Sequence, residues 1–293
     1  NADARYLMGR VQRLLGQPEA AKLAFEQALS LAAGHEQARS ALGGLLLDSG
    51  DYDGAGEVFG KLERDGSGVA ASFGAIESML GSGEVASAEA RLNRLSEDEK
   101  ALPAAKLLLA RVAIASGKPG QALTLLEPLV AKDSETRTAE MLSAYGEALY
   151  ANDKVDSAAG AFEAALELDA TLPDALIGRA MAAVRAEKTK DAKAYLESAQ
   201  KSLQTRVRPP RMKALLLVTW AKAHLIDKEY DPAKQKLLEA VTLKGAPTET
   251  HFWLAESLSK TKSQGASESY ARYLDLDPNG AYAARARRAL APR

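Results

Sequence analysis

The chain contains no cysteine. That absence removes disulfide staples, thiol catalysis and thiolate metal sites together, and leaves redox chemistry silent about compartment. An excess of charge of one sign is also missing. Lys and Arg number 38 against 39 Asp and Glu, a net charge of −1, so no general attraction for nucleic acid or an anionic membrane is built in. No apolar run reaches the roughly 18 residues that a bilayer span needs. Only three histidines occur, His35, His224 and His251, and none has acidic or histidine neighbours at metal-ligand spacing. Gly-rich phosphate loops and a Gly-x-Ser-x-Gly elbow are absent. Acidic pairs such as Glu163 and Glu167 sit one helical turn apart and read as a solvated helix face. No catalytic, cofactor-binding or metal site is expected, and the chain reads as non-enzymatic. Aromatic residues make up only 5% of 293 residues, while alanine is abundant and charges of both signs are dispersed. That is the composition of closely packed helices with solvated outer faces.

What the chain does have is a rhythm of small residues. Ala21, Ala55, Ala122, Ala158, Ala192, Ala233 and Ala266 each stand four residues before Phe25, Phe59, Leu126, Phe162, Leu196, Leu237 and Tyr270. In the third interval Ala86 is followed by Ala90, which breaks the pattern. The first two alanines are 34 residues apart and most later steps stay close to that. A repeat of this length is the mark of a solenoid, whose units pack only on their neighbours and which presents a long surface.

The first interval sets the details. Leu7-Met8-Gly9 lies on a first helix, Gly16-Gln17-Pro18 is the turn, and Ala21, Phe25, Ala28, Leu29 and Leu31 form one stripe of a second helix. These positions resemble the tetratricopeptide consensus of Leu-Gly on helix A, then Ala, an aromatic and Ala on helix B, then Pro. Gly43, Gly74 and Gly146 fill the helix-A glycine position, and Ala110, Ala180, Ala221 and Ala255 replace it elsewhere. Ala165, Ala199 and Ala240 repeat the second helix-B alanine, and the closing proline stands at Pro278. The resemblance implies an all-α, right-handed superhelical solenoid of about eight helical hairpins. The repeats run over residues 2–34, 36–68, 69–99, 103–133, 138–170, 173–204, 212–244 and 248–278, with a C-terminal capping helix in 279–293.

Three departures stand out. Ala90 and Asn93 predict loose packing and a change of pitch in the third repeat. The step from Ala192 to Ala233 is 41 residues, about seven too many, and the excess around Gln204–Arg211 contains Pro209 and Pro210. A protruding loop is expected there. Residues 280–291 supply a solvating cap, while the start, Asn1-Ala2-Asp3, has neither a Met, a signal-peptide core nor a matching cap. That pattern predicts the C-terminal array of a longer bacterial scaffold protein.

The resemblance implies non-catalytic protein binding in the concave groove lined by helix A. Positions 2, 5, 9 and 12 of that helix give Asp3, Tyr6, Arg10 and Arg13 in the first repeat and Gln37, Ser40, Gly44 and Leu47 in the second. The third gives Ala71, Ala75 and Ser78, and the fourth Leu107, Arg111 and Ile114. Leu, Gly, Ala, Ile and Val stand where the family's C-terminal-carboxylate clamp places Lys and Asn, so a chaperone-tail adaptor is not implied. The expected partner site is the apolar lining of repeats 6–8: Ile177, Met181, Val184, Leu215, Val218, Lys222, Leu225, Phe252 and Glu256. It would take an amphipathic helix or a hydrophobic protein surface. A secondary site is the basic loop of Arg206, Arg208, Arg211 and Lys213. A setting in type IV pili, secretion or cell polarity, with a small Ras-like GTPase as partner, is compatible with this reading. So are a docking region of an enzyme whose catalytic domain lies elsewhere and a self-assembling structural protein. No nucleic acid and no membrane insertion are expected, and the location is expected to be cytoplasmic, with the periplasm as the alternative.

Overall fold

The computed structural model describes residues 1–66, 68–206 and 208–291. Val207 of the expected loop and Pro292 and Arg293 of the expected cap lie outside the described residues. Eighteen helices and no strand occur among the described residues. The chain divides into two compact units, residues 1–175 with 201–209, and residues 176–200 with 210–293.

The first unit is a series of antiparallel hairpins: α1 (Ala2–Leu14) with α2 (Pro18–Leu31), α3 (Glu36–Ser49) with α4 (Tyr52–Arg64), α5 (Gly68–Ser82) with α6 (Val85–Asn93). After the short α7 (Glu97–Ala101) come α8 (Pro103–Ala115) with α9 (Pro119–Val130), and α10 (Ala139–Ala151) with α11 (Val155–Leu168). The opening of α12 (Pro173–Arg185) and the last turn of α13 (Thr189–Thr205) belong to this unit. The second unit contains the remainder of α12 and α13, α14 (Pro210–Ile226) with α15 (Tyr230–Ala240), α16 (Glu249–Lys260) with α17 (Ala266–Leu276), and α18 (Ala283–Leu290).

The hairpins form because small and large residues interlock. A side chain at Gly43 would place its Cβ 2.7 Å from the ring of Phe59, and one at Gly74 would place it 2.4 Å away. Only glycine lets α3 and α5 close on that ring from both sides. Ala21, Ala55, Ala122 and Ala158 are buried at the crossing of each pair, as are Phe25, Phe59, Leu126 and Phe162. Each hairpin turn uses one left-handed residue: Gly16, Gly50, Gly83 and Gly117, then Asp153, Glu187, Lys228 and Lys262. Eight such turns mark eight hairpins.

That turn residue corrects the third repeat. Gly83, not Gly81, is left-handed, and Gly81 stays in α5, where an added Cβ would strike the Tyr52 ring at 2.1 Å. Counting on from Gly83, the packing pair is Ala88 and Leu92, both fully buried, while Ala86 and Ala90 are exposed. The four-residue step from small to large therefore holds in this repeat as well. The extra residues after it form α7, begun by a capping box in which Ser96 and Glu99 satisfy each other's backbone N–H.

The expected protruding loop is also corrected. α13 and α14 are each 17 residues long, against 14 in α11 and 13 in α10. The seven extra residues lengthen the two helices by about a turn each. Pro210 is the first residue of α14, where a missing N–H costs nothing and the fixed φ favours the helix.

Candidate protein-binding groove

Within the first unit the A helices line an open groove of about 1390 Å³. α1 contributes Tyr6, Arg10 and Arg13, α3 contributes Gln37, Ser40, Gly44 and Leu47, and α8 contributes Leu107. These are positions that the helix-A register assigns. In α5 the register slips by one residue: Ala70, Phe73 and Glu77 face the groove, while Ala71, Ala75 and Ser78 are buried. Ala71 and Ala75 pack into the cluster around Phe59 and Leu62, which turns the neighbouring Phe73 outward.

The groove has a further wall made by Thr205, Arg206 and Arg208; the sequence names the two arginines as part of a basic loop but not their place in this groove. The Arg206 Nη2 donates to both carboxylate oxygens of Asp169 at 3.1 and 2.9 Å and to Thr171 Oγ1 at 2.5 Å. Ser202 donates to the Thr171 carbonyl at 2.6 Å. Gly16 sits against this wall; with φ of 69° and a would-be Cβ 2.9 Å from the Thr205 carbonyl oxygen, it admits no side chain. Arg208 stands 3.7 Å from Asp48 and 3.9 Å from Asp174, and Asp48 also accepts from Arg13. Deeper along the array Arg111 pairs with Glu77 at 3.1 Å. The groove thus offers apolar steps at Tyr6, Leu14, Leu47, Phe73 and Leu107 between charges held at fixed positions. That arrangement suits a helix or extended segment whose apolar side chains alternate with charge.

Burial pushes the Asp169 carboxyl upward, but the hydrogen bonds from Thr171 and the Arg206 guanidinium outweigh it and hold it below the usual aspartate value. A depressed folded value means stability that is present above the unfolded value and lost as pH falls through the folded one. The Arg206 clip onto Asp169 should therefore be intact at neutral pH, and its contribution should start to decline only below the ordinary aspartate value of about 4. Asp169→Asn should cost about 1–2 kcal/mol at pH 7 and progressively less as pH falls below about 4. Thermal melts of the two proteins across that range check this, with a pH-independent difference counting against it.

The residues expected to line an apolar groove in repeats 6–8 are placed otherwise. Ile177 and Val184 are buried, Val184 beside Ala183, Ala192 and Ala223. Val218 packs with Leu217, Ala221, Leu237 and Leu254. Phe252 is fully buried and stacks on Tyr282 at 4.5 Å. These four are core: Val218 because α14 is apolar on nearly all sides, Ile177 and Val184 within α12, and Phe252 within α16 against Tyr270, Tyr273 and Ala283. Met181, Leu215, Lys222, Leu225 and Glu256 are half-buried. Lys222 pairs with Glu249 at 2.6 Å and lies over the Trp253 ring. Glu256 accepts from Tyr270 at 2.7 Å and from Arg285, which ties α18 down on α16 and α17. The burial of Tyr270 and the Glu256 carboxylate push its phenol well above the ordinary value, so it stays a donor. The expected basic loop is divided as well. Arg206 and Arg208 belong to the first unit, whereas Arg211 is exposed and Lys213 pairs with Glu239 at 2.8 Å in the second.

An array of helical hairpins with one side-chain-lined groove defines a helical-repeat solenoid. Two tetratricopeptide-repeat family models match the chain, over residues 12–68 and 107–173, and the chain is a tetratricopeptide-repeat protein. Its fold is similar to a protein in the crystal structure of the APC/C hetero-tetramer Cut9-Hcn1, with TM-score 0.74 and 15% identity over 99% of this chain. The chain spans 56% of the length of that protein. It is also similar to a tetratricopeptide repeat protein from Parabacteroides merdae, with TM-score 0.57 and 13% identity, covering 88% of this chain and 98% of the other. A third similar structure is Pseudomonas aeruginosa pilF, with TM-score 0.52 and 18% identity, covering 75% of this chain and 96% of the other. Comparison with curated proteins finds no match. Tetratricopeptide repeats generally mediate protein–protein interaction, and the fold is typically a non-catalytic scaffold. Among the described residues no group of three or more His, Cys, Asp or Glu is placed to hold a metal ion. No described helix is long and apolar enough to cross a membrane.

Proposed function

We propose that the protein is a non-catalytic adaptor that grips a segment of another protein in the groove of α1, α3, α5 and α8. The observation that carries this is the groove itself, about 1390 Å³ with Tyr6, Leu47, Phe73 and Leu107 displayed between fixed ion pairs. Apolar side chains on an accessible concave wall mark a partner site. Leu47 and Leu107 are half-buried at the edges of two core clusters, so charging both should lower stability somewhat while the fully buried core residues keep their contacts. The double variant Leu47→Glu, Leu107→Glu should keep its helical circular dichroism and lose at least about tenfold in affinity for the captured partner, a change of about 1.4 kcal/mol or more. Full retention of binding by the folded variant would reject the groove as the site.

A narrower reading places the adaptor in a bacterial pilus, secretion or polarity assembly. The fold it shares with Pseudomonas aeruginosa pilF favours that reading. Affinity capture that returns no component of such an assembly would reject it while leaving the groove reading standing.

A further inference from the structure

Arg206 and Arg208 both reach the groove of the first unit from the segment that follows α13, and they end in opposite situations. Arg206 is satisfied by Asp169 and Thr171. For Arg208 the nearest carboxylate oxygens, on Asp48 and Asp174, stand at 3.7 and 3.9 Å, beyond the length of a hydrogen bond. Only 25% of its side chain is exposed. Its Nε is closed off from solvent and has no acceptor among the described residues. A guanidinium presents its N–H donors in a planar fork that matches a carboxylate. Leaving such a donor sequestered and unmet is costly, and it marks a place where an acceptor from outside the chain belongs.

The charges around Arg208 are unbalanced in the same sense. Toward the C-terminal ends of α1 and α3 the groove brings Arg10, Arg13 and Arg208 against Asp48 and Asp174. Arg13 already occupies Asp48. Arg10 lies over the Tyr6 ring and has no carboxylate partner among the described residues. The remaining groove charges are matched or distant. Arg206 is held by Asp169, and Glu77 by Arg111. Glu36 opens α3, about 18 Å along the helix from Asp48, and Asp3 at the start of α1 pairs with His35. One more carboxylate therefore balances this end of the groove. Apolar surface flanks it, with Leu14 on α1 83% exposed and Leu47 on α3 half-buried. Resting on the groove reading, we infer that Arg208 is the specificity-determining residue of a carboxylate subsite, supported by the charge of Arg10. The subsite takes an Asp or Glu side chain from within the partner segment, carried beside a large apolar residue that meets Leu14 or Leu47. The Arg208 fork donates to both oxygens of that carboxylate.

The test presents the full chain to a random-peptide library displayed on phage, whose peptides are fused at their C-terminal ends and so offer side-chain carboxylates only. Peptides are kept that bind the parent and are lost on the groove variant Leu47→Glu, Leu107→Glu. They should share an Asp or Glu beside Leu, Ile or Phe. For such a peptide, synthesised with an amidated C-terminus, fluorescence anisotropy should show that changing the acid to its amide costs at least about tenfold in affinity. On the Arg208→Gln protein the same change should cost less than about threefold. Arg10→Gln supplies a second variant and should weaken binding of the acidic peptide by about threefold or more. Arg208→Gln should melt within about 4 °C of the parent, because no hydrogen bond to Asp48 or Asp174 is lost. Selected peptides without a shared acid, an acid-to-amide cost equal on the parent and Arg208→Gln proteins, or a larger fall in melting temperature would each overturn the subsite and leave the groove standing. A library that yields no peptide sensitive to the groove variant would reject the groove reading and the subsite with it.

Discussion

Truncating Phe59 to alanine should destabilise the first unit by about 3–5 kcal/mol, the cost of deleting a buried aromatic side chain. The expectation lies at the upper end because the cavity has nothing to fill it. Phe59 is buried between α3 and α5, and the residues that face its ring are Gly43 and Gly74. Neither has a side chain that can relax inward, and the remaining neighbours Leu62, Ala71 and Ala75 already pack on one another. In an array stabilised by nearest-neighbour contacts, the loss falls on two interfaces at once, α3 with α4 and α4 with α5. Urea unfolding followed by circular dichroism should show a first transition at clearly lower denaturant. A shift worth less than about 1 kcal/mol would mean that the two glycines do not clamp the ring.

Val218→Asp should unfold the second unit. Val218 is 1% exposed and sits among Leu217, Ala221, Leu237 and Leu254. An ionised carboxylate there has no partner, and burying one unpaired costs more than about 4 kcal/mol. Helical circular dichroism should fall at 25 °C. Leu215→Asp, at a half-buried position three residues earlier, should do less damage. A Val218→Asp protein that keeps its helicity while losing a partner would restore the reading of α14 as a groove wall.

Those two expectations mark where the sequence is legible and where it is not. The step from alanine to a large apolar residue is local, so it reports hairpins directly, and the groove positions of α1 and α3 follow from one fixed helix register. The third repeat is ambiguous because Gly81 and Gly83 both resemble turn residues, and a choice between them moves the packing pair by two positions. Pro209 and Pro210 are ambiguous in the same way: proline breaks a helix from inside and starts one from its first position. Apolar character alone does not separate a groove-lining valine from a core valine, so Val218 and Phe252 needed the neighbouring helices to place them. The basic clustering of Arg206 and Arg208 is legible locally, but the wall they form is not, since their acceptors Asp169, Thr171 and Asp174 lie more than 30 residues away along the chain.

Site-specific photo-crosslinking tests the groove reading most directly. A photoreactive phenylalanine is placed at Ser40 or Ala104, both exposed in the groove. Two controls place it at Glu57 on α4 or Arg211 on α14, both exposed outside it. The account predicts covalent capture of the same partner from Ser40 and Ala104 and none from Glu57 or Arg211. Capture from Glu57 or Arg211, with Ser40 and Ala104 silent, would contradict it.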